Sequence, residues 1–520
     1  MNSKIILVKN INIDRNYTNV LSYSENQMLT LCRSEGHLVA EANNYSFLRP
    51  TGTIMAGFTY SQCLQANYIA FQNPDYSNKW FFAWIDDVIY KGDKNTELTF
   101  TIDAWSTWFD YWTKKQCYVM RHHVNDDVVG RYTLPEGIET GEYIIDSYER
   151  LNIFDDCKYI IQVTEWTTEG NKPLATNYGG VYSAGGAYIC DNINQVVNIL
   201  QAFASSSKSD AVFGLYMCPS YLINNTSGSL QYSGQTTPMY ASKEITKPST
   251  LNGFTPKNKK LLTFPFCFIN VSNNNGMINS YQYELFNEID EHPNKCLFNI
   301  KGVPTVGASI KCSPFNYKLT GEYDNEDEGL IGGKFPTLSW SEDAYINWLT
   351  QNSVNIGLGV ASNLITIVGG LGLMASGAGS MAGAGAVVSG SMGIANQIGQ
   401  VYQHSLTPNT ARGNTNGGDI NASSNANTFY FSKMSIKQEY ARVIDDYLTR
   451  YGYAIKRIVS PNLTGRTYWN YVEIGSSEEI GYGSVPSKFM TEINNACRQG
   501  VTIWHNHANV GNYSLNNTIA

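Results

Sequence analysis

Charge is what this 520-residue sequence has least of: Asp, Glu, Lys and Arg make up 15% of it, against about 25% in an average soluble domain. With 42% hydrophobic and 13% aromatic residues, that composition excludes an intrinsically disordered chain, which needs high charge and few aromatics. The formal net charge of −8 argues against a protein that grips nucleic acid by neutralising phosphates. Cysteine occurs ten times but never as Cys-x-x-Cys, so zinc and redox motifs lack their paired thiolates. Isolated cysteines read instead as small buried hydrophobes. Near the start, Ile5 to Val8 is an apolar run too short for a secretory signal core, so synthesis in a cytoplasm with reduced thiols is expected.

Catalytic motifs are absent too. There is no nucleophile elbow, no Walker A loop and no His-Glu-x-x-His helix. Gly332-Gly333-Lys334 lacks the preceding glycine of a phosphate loop and is followed by Phe335. Asp324 to Gly329 imitates the opening of a calcium loop, but Phe335 stands where the bidentate Glu belongs. His505 and His507 could share one face of a strand, yet no third metal ligand is near; His122-His123 read as structural histidines. The pairs Asp126-Asp127, Asp155-Asp156 and Asp445-Asp446 are adjacent in sequence, and adjacent strand side chains point to opposite faces. No enzyme activity, metal or cofactor is expected.

What is present favours β structure. Tyr (35), Phe (21), Trp (10) and Gly (45) are abundant, as in sheets joined by many turns. The length implies two to four domains. Leu98 to Ala104 alternates apolar and polar residues as a half-buried strand does. Trp80 to Ile85 suits a strand buried on both faces, and Gly92 to Asn95 would turn the two into a hairpin. From about 151 to 338 the pattern is irregular, with a helix expected at Ile193 to Phe203 capped by Asp191. After 426, Ile436, Tyr440, Val443, Ile444, Tyr447, Leu448 and Tyr451 mark an amphipathic helix ending at Gly452. A second is expected from Lys488 to Gln499, capped by Ser487. The fold class is therefore mainly β and multi-domain, with a few helices.

One segment breaks the pattern. No charged residue occurs between Asp343 and Arg412, a stretch of 68 positions. Ser339-Trp340-Ser341-Glu342 has capping-box spacing just before it. Within it, Val354 to Met374 is an apolar run carrying Val354, Ile356, Leu358, Val360, Leu364, Ile365, Ile367, Val368, Leu371, Leu373 and Met374. As a helix it would be about 31 Å long, close to a bilayer's hydrocarbon thickness. Met381 to Tyr402 is a weaker run with Met381, Val387, Val388, Met392, Ile394, Ile398 and Val401. Small residues (Gly369, Gly370, Ala375, Gly379, Gly383, Gly385, Ser389, Gly393) include four-residue spacings that allow close backbone packing in lipid. Twelve glycines among residues 354–402 lower helix propensity in water. No Lys/Arg-rich flank sets a membrane orientation, so conditional insertion fits better than a resident span. Asn409 to Asn427 is a polar linker.

Several stretches resemble one viral family. They are Asn12-Ile13-Asp14-Arg15-Asn16-Tyr17, Phe82 to Tyr90, Phe100 to Trp108, Val119 to Asp127, Pro135 to Glu142 and Gly500 to His507. Together they resemble the tail knob (distal tail tube) proteins of small short-tailed phages of Gram-positive hosts, the phi29-like group. The resemblance implies a hexameric β-barrel tube at the virion's tail tip, made in the host cytoplasm, joined to other tail and collar proteins and passing genomic DNA. It also implies that hydrophobic loops plug the tube, then insert transiently in the host cytoplasmic membrane; here the loop is about Val354 to Tyr402. The expected division is an N-terminal β tube domain (1–150), a β-rich knob (151–338), the hydrophobic loop with its linker (339–427) and a C-terminal α+β tube domain (428–520). Two other readings share features: a pore-forming toxin, which would work without a tube, and a receptor-binding or cell-wall-degrading tail protein with its chemistry in 151–338.

Overall fold

The computed structural model describes residues 3–48, 52–74, 77–152, 157–164, 174–178, 181–191, 195–196, 198–199, 202–203, 206, 208, 211–220, 239–273, 276–302, 309–318, 329–334 and 428–518. They are mostly β, in several sheets with few helices. The chain forms two compact units: residues 1–140, 254–261 and 438–520 make the first, residues 141–253 and 262–437 the second.

In the first unit, an antiparallel seven-stranded sheet runs in the order Leu38–Ala42, Ile5–Val8, Tyr68–Asn73, Lys79–Gly92, Asn95–Ile102, Thr53–Ala56, Tyr45–Leu48. The expected hairpin is at its centre: Gly92 pairs with Asn95 and Ala83 with Ile102. Trp80 to Trp84 are all buried, as a run without alternation requires. Asp103 ends the hairpin by capping the short helix Ala104–Trp108, accepting from Ser106 N (3.0 Å) and from the Tyr68 hydroxyl (2.7 Å). Burial pushes the Asp103 carboxyl up, against those hydrogen bonds. Trp105, fully buried, donates its indole N–H to Leu21 O (3.0 Å).

A second sheet joins the two ends of the chain. Its order is Asn19–Leu21, Val501–Trp504, Trp469–Ile474, Cys117–His122, Tyr453–Val459, the first pair being parallel. One core serves both: Ile6, Val8, Tyr68, Phe82 and Trp84 pack with Met28, Trp469 and Trp504. Burying each such side chain contributes roughly 1.5–3 kcal/mol before entropy is counted.

The two C-terminal helices exist, with corrections. The first is Gln438–Tyr451; Ile436 belongs to the preceding strand, Thr428–Ile436. Its buried face is Ala441, Ile444, Asp445, Leu448 and Thr449, whereas Val443 is 69% exposed. The expected face is thus rotated, because Asp445 is turned inward to make hydrogen bonds. It ends, as expected, at Gly452, with φ +65°. The second helix is Ser487–Gln499; Pro486 stands at the cap without a side-chain hydrogen bond, and Ser487 is the first helical residue. A proline there fits because its nitrogen needs no partner.

The second unit has three antiparallel four-stranded sheets. One is Tyr143–Asn152, Thr428–Ile436, Cys267–Ser272, Ile278–Tyr281; another is Met239–Thr246, Lys295–Gly302, Ser309–Pro314, Leu330–Lys334. Phe431 of the first stacks edge-on against Phe298 of the second at 5.1 Å, and Tyr281, Phe286 and Tyr317 complete an aromatic cluster. The third is Leu174–Tyr178, Val181–Cys190, Cys157–Val163, Val212–Pro219. Of the helix expected at 193–203, Gln195, Val196, Asn198, Ile199, Ala202 and Phe203 are described and helical, and the rest lies outside the described residues. Asp155-Asp156, the calcium-like stretch at Asp324 to Glu328 and the capping box at 339–342 also lie outside them. The nine cysteines described are all buried, with no disulfide among them.

Candidate functional site

Two clusters of polar side chains are buried where the chain returns on itself. The first is in the N-terminal unit. Glu136, its side chain 1% exposed, bridges two cations, Arg121 and Lys260. It also accepts from Ala454 N (3.1 Å). Arg121 donates to Gly452 O (2.6 Å) and lies over the Tyr447 ring at 4.9 Å. Lys260, 3% exposed, lies over the Tyr453 ring at 5.3 Å; burial lowers its pKa, and Glu136 partly restores it. Asp127 accepts from the Tyr453 hydroxyl (2.7 Å) and from Lys259 N (2.8 Å). Asp445 accepts from Lys257 N and Asn258 N, both at 2.9 Å, and Asn258 reaches on to Thr449 Oγ1 (2.8 Å).

These bonds hold residues 257–260, which the chain sends back into this unit after a long excursion. A carboxylate beside two cations, in a site closed to water, is stable only because each charge has a partner. Glu136, Asp127 and Asp445 all spend oxygens on cations or backbone N–H groups. Such an arrangement fastens a chain and does no proton chemistry.

Two of the stretches that carry the resemblance, Val119 to Asp127 and Pro135 to Glu142, meet in this cluster. Lys260 and Asn258 carry no signal in the sequence. Asp445 was legible in part, as a charge between Ile444 and Leu448 on an otherwise apolar helix face.

His123, His505 and His507 are structural. His123 Nδ1 accepts from Tyr471 N (2.9 Å), which leaves Nε2 to donate to Thr449 O (2.9 Å). His505 and His507 do not share a strand face, because the strand ends at Trp504. His505 bonds Ser22 Oγ (2.8 Å) and Asn470 Oδ1 (3.0 Å), and His507 Nε2 accepts from Asn12 N (3.3 Å). Among the described residues no group of side chains could hold a metal ion.

Gly452 closes the cluster against His122. A Cβ there would lie 2.4 Å from both the carbonyl carbon and oxygen of His122, which are backbone atoms and cannot step aside. Gly452→Ala should therefore cost at least about 1–2 kcal/mol from the left-handed backbone alone, with the clash in addition. Urea unfolding measures the loss; a change below 0.5 kcal/mol, the usual scatter of neutral surface substitutions, would refute the close approach.

The second cluster is in the other unit, at the roots of residues 335–427. Ser272 pairs with Tyr430, on the strand by which the chain returns. The next residue, buried Asn273, donates from Nδ2 to Ile331 O (2.7 Å), on the strand by which it leaves. Asn273 Oδ1 accepts in turn from Met277 N (3.2 Å). Consecutive residues thus tie departure to return. All the residues assigned to the membrane-active segment, from Val354 to Val401, and all the small packing residues, from Gly369 to Gly393, lie between these roots and outside the described residues. Among the described residues, no helix is long and apolar enough to cross a membrane.

The family model for the C-terminal domain of the Bacillus phage phi29 tail knob protein gp9 matches residues 231–518, more than half of the chain. The chain belongs to this tail knob family. Residues 1–113 separately match the N-terminus of caudoviral major tail proteins. The phi29 tail knob protein gp9 is 25% identical over 543 residues, covering 87% of this chain and 88% of its own. That of Bacillus phage B103 is 22% identical over 562 residues, covering 93% and 92%. The solved structure of the bacteriophage C1 tail knob protein gp12 aligns over the whole of both chains, with TM-score 0.64 at 14% identity, and so shares the fold. As a member of the family the chain is a virion tail component, assembled with other tail parts, and not an enzyme.

Proposed function

We propose that this tail knob protein forms an oligomeric, hexameric tube through which viral DNA leaves the virion, and that residues 354–402 enter and open the host cytoplasmic membrane. In this reading 1–150 and 428–520 build the tube, 151–338 the knob, and 339–427 carry the membrane-active loop. The observation that carries it is the run of 68 uncharged residues in a phage tail knob protein. The roots support it: Asn273 and Ser272 hold both ends in folded strands, so the segment can change its surroundings without unfolding its base. An acidic chain suits a conduit, since a basic bore would hold DNA rather than let it slide.

Dye release from liposomes by the purified protein, at neutral and mildly acidic pH, tests the reading. Leakage by the full chain that vanishes when 354–402 is deleted, with assembly retained, is the expected result. Leakage that survives the deletion would sink the loop assignment. Absence of leakage from a folded oligomer under every condition would leave a passive tube.

A further inference from the structure

Three histidines converge on one segment of the first unit, residues 505–518. His505 and His507 belong to it, and the Asn517 side-chain amide lies 2.9 Å from His123 Nε2. Geometry keeps two of these rings neutral. The backbone N–H of Asn12 donates to His507 Nε2 (3.3 Å), and that of Tyr471 to His123 Nδ1 (2.9 Å). A backbone N–H can only donate, so a second proton on either ring sets N–H against N–H. His505 is bonded on both sides, to Ser22 Oγ and to Asn470 Oδ1. The surroundings give an added proton no partner. His507 faces the His37 ring, edge-on at 4.8 Å, and the Tyr23 hydroxyl, which accepts from His507 N (3.0 Å). His123 faces Arg466, His122 and Arg121. The acids behind them are engaged: Asp127 by the Tyr453 hydroxyl and Lys259 N, Glu136 by Arg121 and Lys260. Little else holds the segment. Val510, Tyr513 and Leu515 are only partly buried, Thr518 O accepts from Thr467 N (2.7 Å) and Oγ1 (2.6 Å), and Arg450 lies over Tyr513 at 4.9 Å.

We propose that residues 505–518 form a strap that acid releases from the first unit before that unit unfolds. Tyr513 caps Trp469 and Trp504, both fully buried, meeting their rings at 5.7 and 5.3 Å. Release therefore turns an indole pair into surface. Opening of a segment is governed by its own contacts, and one with few buried apolar contacts opens at the low end of the stability scale. Burial holds His123, His505 and His507 below the ordinary pKa of 6.5, and His37 adds to the effect at His507. The attached strap thus binds the protons of His505 and His507 more weakly than the released one. Attachment should be level above about pH 7 and weaken as pH falls through 6.5, by up to about tenfold per histidine for each pH unit. The inference needs neither the tube nor the membrane reading.

Hydrogen–deuterium exchange of the full chain, read by mass spectrometry at pH 7.5 and 5.5, tests it. Rates are expressed as protection factors, so that the intrinsic pH dependence of exchange cancels. Protection of residues 505–518 should fall by about 10- to 100-fold, while the strands Lys79–Gly92 and Trp469–Ile474 keep theirs. His507→Gln retains an acceptor for Asn12 N without a titrating ring, and should make the fall about tenfold smaller. Protection of the segment that does not change with pH would overturn the proposal. So would a loss shared equally by the two strands, which is loosening of the whole unit, or a His507→Gln chain with the parent's full fall. If that variant does not fold, the comparison of segment with strands in the parent still decides.

Discussion

Replacing Glu136 with Gln is expected to destabilise the N-terminal unit by about 3–5 kcal/mol, the typical loss when one partner is removed from a buried ion network. That is a large share of an ordinary domain's stability. The reason is the arithmetic of the cluster: without the carboxylate, Arg121 and Lys260 remain as neighbouring buried cations. Arg121 cannot give up its proton; Lys260 can. The variant should therefore regain stability as pH rises from 7 toward 9.5, more steeply than the parent, since its folded-state lysine loses a proton that the unfolded chain keeps. E136Q with Lys260→Met should recover much of the loss at neutral pH. Urea titrations at several pH values give all three quantities. A loss below about 1 kcal/mol, within the range of exposed ion pairs, would mean that the cluster is solvated.

Acid is expected to unfold the same unit. Burial holds His122 and His507 near pKa 4 and His123 near 3, all below the ordinary 6.5, and lowers His505 as well. For His122, Arg457 and Lys114 add to the effect of burial; for His123, the bond to the Thr449 carbonyl opposes it. The folded state thus binds these protons more weakly than the unfolded chain. Stability should be level above about pH 7 and fall as pH drops through 6.5. Each histidine contributes a slope of up to about 1.4 kcal/mol per pH unit until its folded pKa is reached. Three together would remove on the order of 5–8 kcal/mol by pH 4.5, comparable with a whole domain's stability. Near-ultraviolet circular dichroism against pH, with His507→Asn as a variant expected to unfold at lower pH, provides the check. Equal urea midpoints at pH 7 and pH 5 would contradict it. The prediction also bears on dye release, because leakage at mildly acidic pH must be separated from acid loosening of this unit.

Local patterns were readable where local forces decide. The hairpin of Trp80 to Ile102 announced itself through a dense apolar run, a turn and an alternating run, and the pairing of Gly92 with Asn95 follows. The end of the Gln438–Tyr451 helix was readable from Gly452, because a glycine tolerates the left-handed backbone there. The helix's buried face was readable only in part, at Ile444 and Leu448. Periodicity selected Tyr440, Val443 and Tyr451, which are exposed, and passed over Asp445, which is buried. A carboxylate goes inside only when distant backbone donors meet it, and those of Lys257 and Asn258 lie almost 190 positions away in sequence.

The sequence by itself determined the class of protein: β-rich, poor in charge, without catalytic or metal motifs, and with one long uncharged segment near its C-terminal third. Those traits depend on composition and on spacing over a few residues, which no fold can alter. Tertiary structure alone decided that residues 257–260 return to the N-terminal unit, that Glu136 joins Arg121 to Lys260, and that Asn273 ties the two roots of the segment. Each of these joins residues far apart in the chain through partners whose burial makes the bond strong. Burial is a property of the assembled fold, and no window of neighbouring residues contains it.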